Sequence, residues 1–139
     1  MAETKPPTTA ELLWSEGLRF GATAGKTAIV VDGDGAAGPS PVQVAAIGLA
    51  GCMGADVVFI LEKGRQPLTG LRISFSGERA PTPPRRFTRI ALHFHVSGAV
   101  ESDAVERAIA MSRETYCSVW HSMREDLRLT TAFTVTPPS

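Results

Sequence analysis

The spacing of apolar residues changes along the chain, and each spacing predicts an element. From Leu12 to Asp32 the run LLWSEGLRFGATAGKTAIVVD sets short β-prone segments between glycines, which predicts N-terminal strands joined by turns. The loop DGDGAAGPS follows. It ends with Ser40 as a helix N-cap and Pro41 at the first helical position, where a missing N–H costs nothing. From Val42 to Leu61 the chain is apolar on every side except at Gln43 and Asp56, the pattern of a helix surrounded by protein or by lipid. About twenty such residues nearly span a bilayer. Asp56 would then sit in hydrocarbon, however, and Gly48, Gly51 and Gly54 each weaken an isolated helix by about 1 kcal/mol relative to alanine. A long buried central helix is therefore expected. Its glycines recur at i, i+3 and i+6, with Ala45, Ala50 and Ala55 nearby, so close approach of another element is predicted there.

Beyond a loop over EKGRQPLTG, the period becomes two. Leu71, Ile73 and Phe75 alternate with Arg72, Ser74 and Ser76, which predicts a half-buried strand. After the turn-rich APTPPRR, a second strand carries Ile90, Leu92, Phe94 and Val96 on one face and Ala91, His93 and His95 on the other. These two runs are expected to pair as an antiparallel hairpin. Asp103 with Glu106 gives a capping-box-like start to a helix that turns Val105, Ala108, Ile109 and Ser112 to one side. Helical character resumes through YCSVWHSMRED, and Leu127, Leu129, Thr131, Phe133 and Val135 mark a last strand. The order of elements predicts a single α+β domain over residues 1–139, with helices on one face of an antiparallel sheet.

Composition narrows the function classes. The 139 residues suffice for a core without disulfide staples. Fourteen basic residues offset fourteen acidic ones, so no net field draws the chain to nucleic acid or anionic lipid. The opening MAETKPPTTA is polar, lacks an apolar core, and is expected to be a loose tail over residues 1–10 of a cytoplasmic protein, not a signal peptide. In a reducing compartment the two cysteines are expected to be free, metal-bound or redox-active.

Candidate chemistry is sparse. His93 and His95 point to one side of a strand as some metal sites require, with His121 a possible third ligand; the simpler reading is a polar sheet face, and no metal is expected. There is no P-loop, no dinucleotide fingerprint and no nucleophile elbow. That leaves Cys52, in GLAGCMGADVV, and Cys117. Each taken alone reads first as a small buried hydrophobe.

The runs GPSPVQVAAIGLAGCMGADVVFILEKGRQPLTGLRISFSGER, FTRIALHFHVSG and VERAIAMSRETYCSVWHSM resemble the osmotically inducible protein C family, OsmC-like, which includes the organic hydroperoxide resistance proteins. The resemblance covers residues 12–135. It rests on Ser40-Pro41 before a small-residue helix, on Gly51-Cys52, and on Tyr116-Cys117-Ser118. It implies a thiol peroxidase built as an intertwined homodimer, with Cys52 as peroxidatic and Cys117 as resolving cysteine. No bound cofactor is implied, only an external dithiol or protein thiol reductant. By the same resemblance Arg19, in Gly17-x-Arg19-x-Gly21, would favour the thiolate. The glutamate that accompanies this arginine in the family falls here at Val42, beside Gln43, which places the chain in a branch without that carboxylate.

Three functions follow as expectations. The first is an enzyme reducing organic hydroperoxides, whose alkyl tails suit the apolar setting of Cys52. The second is a redox-sensing or small-molecule-binding module on the same fold. The third, an outside reading, is a metal protein using His93 and His95, with a cysteine as a further candidate ligand.

Overall fold

A computed structural model describes residues 4–138. Residues 1–3 of the expected tail lie outside the described part, and residues 4–10 are exposed and without regular structure. The chain forms two compact units, Met1–Ala45 and Ala46–Ser139.

The first unit is a three-stranded antiparallel meander of β1 (Glu11–Glu16), β2 (Arg19–Ala24) and β3 (Thr27–Asp32), in that spatial order. Gly17 and Gly25 make its two turns at φ of 56° and 59°, a region where a Cβ is disfavoured. The register places Arg19 opposite both Glu16 and Asp32. The following loop is gathered around Asp32. This side chain is buried, and it accepts the main-chain N–H groups of Asp34 (2.9 Å), Ala36 (3.3 Å) and Ala37 (2.9 Å). The loop delivers the chain to α1 (Pro41–Lys63). There the Ser40 hydroxyl accepts the Gln43 N–H, and the Gln43 side chain accepts the Ser40 N–H in return. This reciprocal capping box adds a second satisfied donor to the expected Ser40 cap.

The second unit contains the rest of α1, then β4 (Leu68–Arg79), β5 (Phe87–Gly98), α2 (Ser102–Met111), a π turn (Ser112–Tyr116), α3 (Ser118–His121) and β6 (Arg128–Thr136). Its sheet has the order β4-β5-β6. The expected hairpin of β4 with β5 is present, although β4 begins three residues before Leu71, because Leu68 already pairs with Gly98. The inward faces are those the period-two pattern marks: Ile90, Leu92, Phe94 and Val96 are each at most 2% exposed.

Three expectations are corrected here. The sheet is mixed, not antiparallel throughout, since β6 runs parallel to β5, Arg89 to Ser97 against Arg128 to Thr136. Parallel neighbours need a long crossover, and α2, the π turn and α3 supply it. Helix α2 is entered from Glu101 without a side-chain cap, so Asp103 lies in its first turn and does not cap it. The later helical stretch is the short α3, not a helix through Asp126.

The central helix differs from its expected all-round burial. It is long and apolar enough to cross a membrane by composition, yet the chain itself buries mainly one of its rows. Leu49, Met53, Val57 and Leu61, spaced by four, are at most 1% exposed, and they join Ile90, Phe94, Val105 and Ala108 in one core cluster. Of the three glycines only Gly54 meets close packing: a Cβ there would lie 2.6 Å from the Ile73 side chain, while Gly48 and Gly51 face open space.

The amides around Asp32, and then the Arg19 charge, hold its carboxyl below the ordinary 3.8, against the opposing effect of burial. A depressed folded value contributes stability above the unfolded value that is lost as pH falls through the folded one. Thermal melts from pH 6 down to pH 2 should show Asp32→Asn to be less stable near neutrality and less acid-sensitive than the wild type.

Candidate functional site

Helix geometry orders the site. Residues four apart along α1 form rows, so the row beside the buried one carries Gly48, Cys52, Asp56 and Ile60, and Cys52 and Asp56 share a face one turn apart. Of these, Cys52, Asp56 and Ile60 are half-buried: this row sits at the margin of the core. A further row, Gly51, Ala55, Phe59 and Lys63, is exposed.

The second thiol arrives from the crossover. At the end of α2 the chain widens into the π turn, in which the Cys117 N–H donates to the Ser112 carbonyl five residues back at 2.8 Å. Such turns are frequent at functional sites. Here Cys117, 0% exposed, lies in the core cluster against which Cys52 packs, and the two thiols are close enough for Cys52 to perturb the ionisation of Cys117. Both cysteines are free. The Trp120 N–H donates to the Cys117 sulfur at 3.3 Å.

Ser112 faces the core as its helical spacing predicts, and is fully buried. Its hydroxyl donates to Asp56 Oδ2 at 2.8 Å, which explains how a half-buried carboxylate in the apolar stretch of the helix is accommodated, whereas Glu62 is exposed. This pair joins positions 56 and 112, and no local pattern announces it.

The environment separates the two thiols. Burial pushes Cys117 up from the ordinary 9.0 to about 11; the Trp120 N–H opposes this, while a hydrogen bond to Cys52 and the charges of Cys52 and Asp56 add to it. Cys117 therefore keeps its proton at neutral pH, and Cys52 is the more accessible of the two. Beside Asp56 opens a groove of about 590 Å³ walled by Phe59, Ile60, Lys63, Met111 and Tyr116. Phe59 and Tyr116 are 66% and 54% exposed, so the groove offers aromatic surface to a ligand.

Arg19, the candidate third member, is placed in the N-terminal unit, where carboxylates surround it. Its Nη1 lies 3.1 Å from Glu16 Oε1, and its Nε, buried and without a hydrogen bond, lies 3.8 Å from Asp32 Oδ2. Val42 is half-buried in the first turn of α1, which contains no acidic residue, and Gln43 is occupied by its capping bonds. The carboxylates at Arg19 thus come from β1 and β3. In the sequence Asp32 ends the N-terminal strand run and opens the DGDGAAGPS loop; its cross-strand register with Arg19 is the signal that identifies it as a partner.

The histidines do not join this site. His93 and His95 stack at 4.2 Å on the β5 surface and bond Thr134 (2.7 Å) and Ser74 (3.2 Å), while His121 donates from Nε2 to the Arg113 carbonyl. Among the described residues no group of three or more His, Cys, Asp or Glu side chains is arranged to hold a metal ion.

Known proteins match this arrangement. The model of the OsmC family, described as OsmC-like protein, matches residues 32–132. The chain belongs to the OsmC-like family. This OsmC-like protein is 40% identical over 129 residues to Protein YhfA of Escherichia coli strain K12, covering 91% of this chain and 96% of that one. Among solved structures, a hypothetical protein from Aquifex aeolicus VF5 superposes with a TM-score of 0.90 at 26% identity, covering 97% of this chain and all of that one. An organic hydroperoxide resistance protein OsmC from Legionella pneumophila, described also as a predicted redox protein, superposes at 0.70 over 96% of this chain and 100% of its own. At 18% identity that likeness establishes the OsmC-like fold alone.

The contrast between the thiols sets an expected labelling pattern. In the reduced OsmC-like protein, iodoacetamide at neutral pH should modify Cys52 and largely spare Cys117, whose labelling should rise only toward pH 11, as read by peptide mass mapping. The linked stability has a definite sign. A raised folded value contributes stability that is complete below about pH 9, where an unfolded thiol ionises, and is lost as pH climbs to about 11.

Proposed function

We propose that this protein is a thiol-dependent peroxidase that reduces organic hydroperoxides, with Cys52 as the peroxidatic and Cys117 as the resolving cysteine. The observation that carries this reading is the juxtaposition in one packed cluster of a half-buried thiol and a fully buried one, neither of them committed to a disulfide. Two inert core cysteines have no need of a π turn to bring them together.

The chemistry balances without a bound cofactor. The Cys52 thiolate attacks the terminal oxygen of ROOH; the O–O bond breaks, the alkoxide leaves and takes a proton to become ROH, and Cys52 becomes a sulfenic acid. The Cys117 sulfur then attacks the sulfenic sulfur, the S–S bond forms, and the hydroxyl departs with the Cys117 proton as water. An external dithiol restores both thiols in two exchange steps and is itself oxidised to a disulfide. Organic hydroperoxides suit the site because the groove beside Asp56 presents Phe59, Ile60, Met111 and Tyr116 to an apolar tail. Arg19 is assigned to stabilising the Cys52 thiolate by the family resemblance, with Asp32 and Glu16 as its carboxylate partners in place of the absent glutamate.

The working form is a homodimer in this reading. Leu12, Leu13, Trp14, Leu18, Ile29 and Val30 of the N-terminal strands and turn are 42–76% exposed, as are Ile47 and Phe59 of α1 at 60% and 66%. Apolar surface of this density marks an association face. Light scattering of the purified chain should give twice the monomer mass of 14.8 kDa.

Stopped-flow addition of one equivalent of an organic hydroperoxide to the reduced protein, followed by unreduced peptide mapping, tests the activity. The expected product is a Cys52–Cys117 disulfide in the wild type and a trapped sulfenic or sulfinic Cys52 in Cys117→Ser. Cys52→Ser should lose turnover with a dithiol by at least about 100-fold, the loss typical of removing a nucleophile. A single stoichiometric oxidation without turnover would instead identify a redox sensor.

A further inference from the structure

A closed path of contacts joins the two thiols, and the peroxide chemistry described above does not use it. Asp56 lies one helical turn beyond Cys52 on the same row of α1. Its Oδ2 accepts the Ser112 hydroxyl at 2.8 Å. The main-chain carbonyl of Ser112 accepts the Cys117 N–H at 2.8 Å. Ser112 thus holds α1 with its side chain and Cys117 with its backbone, and it is 0% exposed. A half-buried carboxylate among apolar residues is costly unless it is partnered, and the partner here is the residue that also anchors the second thiol.

We propose that the Asp56–Ser112 pair is a clasp that positions Cys117 for attack on oxidised Cys52, making both of them positioning residues for the disulfide-forming step. The proposal rests on the peroxidase reading. It assigns the Asp56–Ser112 hydrogen bond to the second chemical step: the first oxidation occurs at Cys52 and needs no contact with Cys117. In the second step the sulfur of Cys117 must approach the sulfenic sulfur in line with the departing oxygen, and small misplacements of reacting atoms cost large factors in rate. The clasp fixes that approach by tying the π turn to the helix that carries Cys52. The negative charge of Asp56 has a second consequence. It adds to burial in disfavouring the Cys117 thiolate, so that Cys117 does not compete with Cys52 for peroxide. The titratable groups around Asp56 within this unit are Cys52 and Lys63 on its own helix and Tyr116 and Cys117 on the segment packed against it.

Two substitutions separate the hydrogen bond from the charge. Ser112→Ala removes the donor and keeps the carboxylate; Asp56→Asn keeps an oxygen that accepts the Ser112 hydroxyl and removes the charge. Each variant, with the wild type, is mixed with an organic hydroperoxide, sulfenic acid is trapped with dimedone, and disulfide formation is timed by quenched-flow mass mapping across pH 5–10. Ser112→Ala should form sulfenic Cys52 at the wild-type rate, close the disulfide on the order of 10-fold more slowly, and yield more sulfinic Cys52 under excess peroxide. Asp56→Asn should close the disulfide with the midpoint of its pH profile moved to lower pH. Circular dichroism checks the fold, and if Ser112→Ala does not fold, the midpoint of Asp56→Asn decides. Equal disulfide rates and equal midpoints in all three proteins overturn the clasp while leaving the peroxidase standing. A wild-type Cys52 that resists oxidation removes the peroxidase reading and the clasp with it.

Discussion

The second unit depends on how α1 docks on the sheet. Leu49, Met53, Val57 and Leu61 form one row four residues apart, and that row alone is driven wholly out of water by the inward faces of β5 and α2. Fixing one row fixes the rotation of the helix, and the rotation determines what every other position meets. Cys52 and Asp56 fall at the margin, neither sealed nor free, and Phe59 and Lys63 fall outside. The reactivity assigned to Cys52 follows from this placement: one row inward and it would be an inert packing residue like Met53.

The two thiols are thereby given unequal surroundings by the same core. Cys117 lies inside the cluster and pays for its burial with a proton held to about pH 11. Cys52 reaches the margin of the core and is half-buried. The division of labour proposed for the two thiols rests on this difference in depth between a half-buried and a fully buried side chain. The N-terminal unit follows another rule. Its strands leave large apolar residues in solvent, and at one end of the sheet register aligns the charges of Glu16, Arg19 and Asp32.

Much of this is legible in local patterns. Period two in β5 marks Ile90, Leu92, Phe94 and Val96 as core, and they are; helical spacing marks Val105, Ala108, Ile109 and Ser112, which are buried likewise. Patterns of this kind report which face a residue occupies, not which partner it meets. That is why the parallel course of β6, the partnership of Asp56 with Ser112, and that of Arg19 with Asp32 are absent from a reading along the chain: each joins residues brought together only by tertiary folding. The all-round apolarity of α1 misleads for a related reason. A helix with no polar face is compatible with burial by its own chain or by another, and this chain covers only part of it. The π turn has no sequence signature at all, since it differs from an α-helical turn by one residue of slack.

The parallel pairing of β5 with β6 ties the thiol site to the integrity of the whole sheet. An antiparallel neighbour would close by a short hairpin and leave the crossover free to loosen on its own. Here the strand that completes the sheet lies downstream of the segment bearing Cys117, so that segment is held at both ends by pairing with the same sheet. Fraying of β6 slackens the tether on Cys117, and cooperative opening of this kind belongs to supersecondary units that open together. The site thus sits on a loop whose two ends are fixed by neighbouring strands of one sheet, Phe87–Gly98 and Arg128–Thr136.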